Sequence, residues 1–141
     1  MTAFDLERFV AAQEDSYPGA IAELRHGRKA SHWMWFIFPQ IAGLGSSPMA
    51  RFYAIASAEE ARAYLAHPLL GARLRAATDA MLAHRGERAD TILGSVDALK
   101  FRSSMTLFDA VAHETSEPFA AALTYFYAGK KDQATLALLA A

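Results

Sequence analysis

The sequence predicts an all-α fold: a single compact multi-helix domain over residues 1–141, with about six to eight helices and little or no sheet. Three observations carry that prediction. Apolar residues recur at the three-to-four-residue spacing of a helix face through most of the chain. Serine, aspartate, glycine and proline stand where helices start and stop. The one strand-like run, Trp33 to Phe38, has no second run to pair with. At 53% hydrophobic and 21% charged residues, the composition suits a packed core rather than a disordered chain.

Asp5 can cap a first helix with Leu6, Phe9, Val10 and Gln13 along one face, and Tyr17-Pro18-Gly19 interrupts it. The pattern resumes in Ala20, Ile21 and Leu24 and stops at Gly27. Ser57-Ala58-Glu59-Glu60 reads as a capping box, in which the Ser57 hydroxyl accepts from the Glu60 amide and the Glu60 carboxylate reaches back. The helix it opens carries Ala61, Tyr64 and Leu65 and ends at Pro68, which suits the first turn of the next. There Leu69, Leu70, Leu74, Ala77, Met81 and Leu82 recur with helical period, and Gly86 is the natural terminator. Asp90 or Ser95 starts a helix carrying Leu99, Met105, Leu107, Phe108 and Val111. Ser116 and Pro118 open one bearing Phe119, Leu123, Phe126 and Tyr127, closed by Gly129. Asp132 caps a last short helix ending in Leu138 and Leu139.

Composition excludes several function classes. With no cysteine there is no disulfide, thiolate metal site or cysteine nucleophile. Fourteen basic residues against fifteen acidic ones leave a net charge of -1, so the basic excess that neutralises a phosphate backbone is missing and no nucleic-acid partner is expected. No apolar run approaches the roughly 18 residues needed to span a bilayer. The stretch Met1–Arg8 is polar and does not read as a signal peptide, so the expected location is cytoplasmic, away from membranes. His32 has no second histidine three or four residues away and no adjacent carboxylate, so neither a metal nor a cofactor is expected.

Two segments depart from ordinary helical composition. Trp33 to Phe38 holds both tryptophans and two phenylalanines, more than one buried stripe needs. Read as a helix capped by Ser31, it puts positions 32, 35, 36 and 39 on one side and 33, 37 and 40 on another. One face then needs the core and the other a neighbouring element or a ligand. Trp33 and Trp35 are either stacking platforms or core anchors. His32 is either a general acid/base or a side chain pinned by a backbone carbonyl. Gly43-Leu44-Gly45-Ser46-Ser47-Pro48 leads into a helix with Ser47 as N-cap, a junction whose amides suit an anion but which also serves as a plain connection. The second segment, Lys100-Phe101-Arg102-Ser103-Ser104, sets two cations and two hydroxyls in an otherwise apolar helix. Lys100 and Arg102 either hold a phosphate or carboxylate, or form a solvated face with Arg102 paired to a carboxylate such as Glu23.

The wording of Lys29 to Ser47 resembles the hallmark of a bacterial family of uncharacterised proteins, some of whose members carry the label "calpastatin". The resemblance continues through Tyr53-Ala54-Ile55, Glu60 to Leu65, His67 to Gly71 and Lys100 to Phe108, and so covers nearly the whole chain. It implies a mainly helical fold and no established activity. Inhibitors of the calpastatin kind are disordered, repetitive and polar, unlike this unrepeated, core-rich sequence. A looser similarity, carrying no residue across, is to helical proteins that cleave ADP-ribose conjugates.

The candidate site therefore comprises His32 for proton work, Trp33 and Trp35 for a flat ring, and Lys29, Gln40, Gly43, Gly45, Ser46, Lys100, Arg102 and Ser103 for the rest of the ligand. Such a set suits binding or turnover of a small anionic, nucleotide-like molecule. The alternative is a non-enzymatic protein-interaction module built on the aromatic segment.

Overall fold

The computed structural model describes residues 4–114 and 116–141; Thr115 and the first three residues of the polar stretch Met1–Arg8 lie outside it. Among the described residues the chain forms α1 (Glu7–His26), α2 (Met34–Ile37), α3 (Pro48–Phe52), α4 (Ala58–Ala66), α5 (Leu70–Leu82), α6 (Ala89–Leu93), α7 (Ser95–Val111), α8 (Phe119–Tyr127) and α9 (Gln133–Ala140). Six of these have eight residues or more and the other three are little more than one turn. The β-type pairing among the described residues is one isolated parallel bridge between Ile41 and Ile55.

Helix α1 runs unbroken through Tyr17-Pro18-Gly19, where the sequence suggests an interruption. Pro18 removes one amide donor, but Pro18 and Gly19 are exposed while Phe9, Gln13, Ala20, Ile21 and Leu24 share one buried face. Burying that continuous stripe outweighs one lost hydrogen bond. The Asp5 side chain does not cap the helix, which instead starts after Leu6. At its other end Gly27 adopts φ +83° and closes the helix as expected.

The strand-like run is helical over Met34–Ile37, and Ser31 does not cap it. It stops at Phe38 because a residue before proline is pushed out of the α region, and Phe38 sits at φ −125°, ψ 73°. Short-range caps follow the sequence more closely. Ser47 accepts from the Ala50 amide (3.1 Å), and Ser57 from the Glu60 amide (3.2 Å). The Glu60 carboxylate reaches back to the Ala56 amide, one residue before the cap, and also pairs with Arg8 at 3.0 Å. His67 does more than mark a boundary, since its Nδ1 accepts from the amides of Leu69 and Leu70 and caps α5. Helix α5 closes at Ala83, before Gly86, and Gly94 at φ +88° separates α6 from α7. Ser116 makes no cap, and α8 begins after Pro118.

Helix α7 packs against α4, α6, α8 and α9, while α5 packs against α1, α4 and α8. A run of aromatic contacts ties these elements together: Phe9–Tyr64 (5.1 Å between ring centroids), Tyr64–Phe108 (5.4 Å) and Phe108–Phe119 (5.9 Å), with Phe38 edge-on to Phe101 at 4.7 Å. Gln13, fully buried, crosslinks three helices by donating to the Phe36 carbonyl (2.7 Å) and the Tyr64 hydroxyl (3.1 Å). Burial pushes the Tyr64 phenol upward, which keeps it neutral in that setting. Leu99, expected in the core, is 64% exposed on α7, so the buried face there runs through Ala98, Phe101 and Met105 instead. No described helix is long and apolar enough to cross a membrane.

At Gly71 the turn between α4 and α5 is so close that an added Cβ would lie 2.2 Å from the Leu65 carbonyl oxygen. Gly71→Ala is expected to lower the melting temperature by about 5–10 °C, from an overpacking cost of about 2–3 kcal/mol. Gly19→Ala, whose Cβ meets nothing within 4 Å, is expected to raise it slightly by removing helix-interior flexibility. Thermal melts of the two variants check both statements.

Candidate functional site

The aromatic segment hangs on one carboxylate. Glu23 on α1 accepts from the Ala30 amide (2.7 Å), the Ser31 amide (3.0 Å), the Ser31 hydroxyl (2.6 Å) and the Trp33 indole nitrogen (2.9 Å). Partial burial works against its charge, but these four bonds outweigh that effect and hold the carboxyl down at about 2, from an ordinary 4.5. Ser31, read from the sequence as a helix cap, is therefore the donor that anchors the segment to α1. Trp33, 2% exposed, is a core anchor.

Lys29 lies just beside it. Its ammonium is 2.9 Å from Asp97 of α7 and 5.1 Å from the Trp33 ring centroid. Asp97 also faces Lys100 at 3.7 Å, so one carboxylate stands between two lysines. The Lys100 ammonium sits 5.4 Å from the ring centroid of Trp35. Trp35 is half-buried and faces an open cavity of about 270 Å³ lined also by Gln40, Ile41, Gly43, Gly45, Ala50, Arg51 and Tyr53. A second hollow, lined by Leu44, Ser46, Ser47, Val96, Leu99 and Lys100, adjoins this cavity and shares Gln40, Gly45 and Ala50 with it.

The floor of this double cleft is built by the Ile41–Ile55 bridge. The Ile55 amide donates to the Gln40 carbonyl and the Ala42 amide to the Ile55 carbonyl, both at 2.8 Å, closing a loop that contains Gly43–Ser47 and α3. Among the described residues, the amides of Gly43, Gly45, Ser46 and Ser47 donate to no protein carbonyl, while residues 42 and 43 form a turn. Helix α3 is only five residues long, Pro48 has no amide hydrogen and the Ala50 amide is taken by Ser47, so the anion-binding helix end suggested by the sequence reduces to the Met49 amide and those of the loop.

Six of the expected residues thus line two adjoining hollows: Trp35, Gln40, Gly43 and Gly45 the first, and Gln40, Gly45, Ser46 and Lys100 the second. Five are placed elsewhere. His32 is exposed and does not line the cleft. Lys29 and Trp33 lie beneath it, engaged with Asp97 and Glu23. Arg102 donates to the carbonyls of Lys130 (2.7 Å) and Lys131 (2.9 Å), not to Glu23. Ser103 donates to Asp132 (3.1 Å). Among the described residues no group of three or more His, Asp or Glu side chains lies close enough to hold a metal ion.

Sequence reasoning passed over Arg51 and Asp97. Arg51 is exposed on the cleft and has no carboxylate within ion-pair distance among the described residues. Its signal was available in its place, four residues beyond the Ser47 cap on the helix that ends the glycine loop. Asp97 stands at i, i+3 from Lys100, a readable helical pair.

The profile of a family described as a protein of unknown function (DUF1810) matches residues 3–139. The chain belongs to that family. Its structure is similar to the crystal structure of the conserved hypothetical protein Rv1873 from Mycobacterium tuberculosis, with 49% identity over 99% of each chain and a TM-score of 0.95. No curated protein matches the chain. The family and the solved structure carry no assigned function, so the reading of the cleft rests on its own chemistry.

The Glu23 carboxyl titrates lower in the folded chain than in the unfolded one, so the unfolded chain binds the extra proton between about pH 4.5 and 2. The stability Glu23 contributes is fully present above that window and is lost as pH falls through it. Glu23→Gln is expected to melt below the wild type at neutral pH, with the gap narrowing toward pH 2. Melting curves across that range check the sign.

Proposed function

We propose that this chain binds a small anionic molecule bearing a flat ring, of nucleotide type, in the double cleft between Trp35, residues 40–47, Arg51 and the first turns of α7. One observation carries the reading. A half-buried tryptophan shares its cavity with Arg51 and carries the Lys100 ammonium 5.4 Å from its ring centroid, and no carboxylate among the described residues lines that cavity or the adjoining hollow. In this reading the ring stacks on Trp35, the Gln40 amide meets its polar edge, and the anion lies between Lys100, Arg51 and the unpaired loop amides. Lys29 and Asp97 act by holding Lys100 in place. The lining offers no histidine or carboxylate as a general base, which favours binding over turnover and leaves His32 outside the mechanism.

A second reading draws on Val96 and Leu99, 65% and 64% exposed at the rim. Apolar side chains so placed favour a protein-interaction module.

Thermal-shift and calorimetric titration with AMP, sugar phosphates and small carboxylates decides between them. AMP at a hundred times its dissociation constant should add about 2.7 kcal/mol and raise the melting temperature by several degrees. Lys100→Ala and Arg51→Ala should each weaken binding about 10-fold or more, in line with about 1.5–3 kcal/mol for a charge-assisted hydrogen bond. His32→Ala should leave it unchanged. A flat response to every anion, together with capture of a partner that Val96→Asp abolishes, would establish the second reading instead.

A further inference from the structure

The polar residues of α7 beyond Lys100 grip the entry to α9. Arg102 holds the carbonyls of Lys130 and Lys131 from its Nε and Nη2. Ser103 donates to the Asp132 carboxylate, and the Thr106 hydroxyl accepts from the Asp132 amide at 2.9 Å. The same Asp132 carboxylate caps α9 by accepting from the Thr135 amide at 3.1 Å and from the Thr135 hydroxyl, with Thr135 fully buried. Three consecutive residues, 130 to 132, are therefore pinned to little more than one turn of α7.

The far end of α9 reaches the cleft. Leu138 rests on Gly43, where an added Cβ would come within 3.1 Å of Leu138 Cδ2, and Gly43 adopts φ +106°. Leu138 and Leu139 line a hollow behind the loop together with Ile41, Ala42 and residues 56–59. The amides of Gly43, Gly45, Ser46 and Ser47 donate to no protein carbonyl among the described residues. The Gly43 end of the loop lies between the Ile41–Ile55 bridge and Leu138, while Leu44 packs on the core and Gly45 on Ala50. Six residues of helix separate Asp132 from Leu138, about 9 Å along the axis, so any tilt at the bracket is delivered to Gly43.

We propose that Arg102, Ser103 and Thr106 are positioning residues for the cleft, acting through α9 as a strap whose Leu138 sets the Gly43 end of the loop. The proposal rests on the reading of the cleft as a binding site. It gives the Arg102-Ser103 pair a part in ligand affinity without contact to the ligand.

The test uses the full chain, amide NMR spectra and AMP titration, on Thr106→Val, Thr106→Ser and Leu138→Ala. Valine keeps the shape of threonine but has no oxygen for the Asp132 amide, whereas serine retains one. The expected result is that Thr106→Val moves the Gly43 and Gly45 amide resonances and weakens AMP binding about 3- to 10-fold. Thr106→Ser should restore both. Leu138→Ala, changing a partly exposed side chain, should weaken AMP similarly while the Asp132 and Thr135 resonances stay in place; it also decides the matter if Thr106→Val fails to fold. The strap is overturned if Thr106→Val shifts Asp132 and Thr135 but not the glycines, or if the glycines move and AMP affinity does not. Should the wild-type chain bind no AMP, that arm counts against the cleft reading alone, and the glycine resonances still decide whether α9 sets the loop.

Discussion

The structure of the cleft depends first on the Glu23 carboxylate. Residues 28 to 33 form no helix and no strand, so their amides have no regular partner. A single ionised side chain supplies the acceptor for the exposed amides of Ala30 and Ser31, for the Ser31 hydroxyl and for the indole of the buried Trp33. With Trp33 fixed in this way, Met34 to Ile37 turn once, the buried Pro39 ends the turn, and Gln40 and Ile41 reach the bridge to Ile55. Trp35 is left facing the cavity because its neighbours Trp33, Phe36 and Phe38 take the core positions.

What was legible in the sequence was local. The caps at Ser47, Ser57 and Asp132 and the stop at Gly27 each depend on contacts within three or four residues, and each is found where the sequence places it. The helical class follows from the same periodicity. Pro18 misled because proline is a local penalty, whereas the buried stripe from Phe9 to Leu24 is a tertiary gain spread over about four turns. The Trp33–Phe38 run is helical as its lack of a pairing partner suggests, but Ser31 misled as its cap because composition does not reveal that the Ser31 hydroxyl is taken by Glu23.

The candidate site was legible in part for the same reason. The glycine loop, Trp35, Gln40 and Lys100 announce themselves by composition. Arg102 and Ser103 carry the same chemistry as Lys100 but bond to residues 28 and 29 positions away, a separation at which sequence offers no direction. Helix α7 thus divides its polar residues between two tasks, Lys100 toward the cleft and Arg102, Ser103 and Thr106 toward the chain entering α9. The glycines follow a similar division. Gly71 is required by a close approach of backbone, while Gly43 is required both by its φ and by the leucine lying on it.

The lysine pair around Asp97 has a consequence for selectivity. A free lysine side chain loses up to about 2 kcal/mol of rotational freedom when an incoming anion orders it. Lys100 already leans on Asp97 and the Trp35 ring, and Asp97 is itself held by the buried Lys29. Much of that ordering precedes any encounter, at the expense of one unit of positive charge. On the proposed reading the cleft is then a stiff socket more than a flexible hook, one that would discriminate among anions by the distance between charge and ring rather than by charge alone.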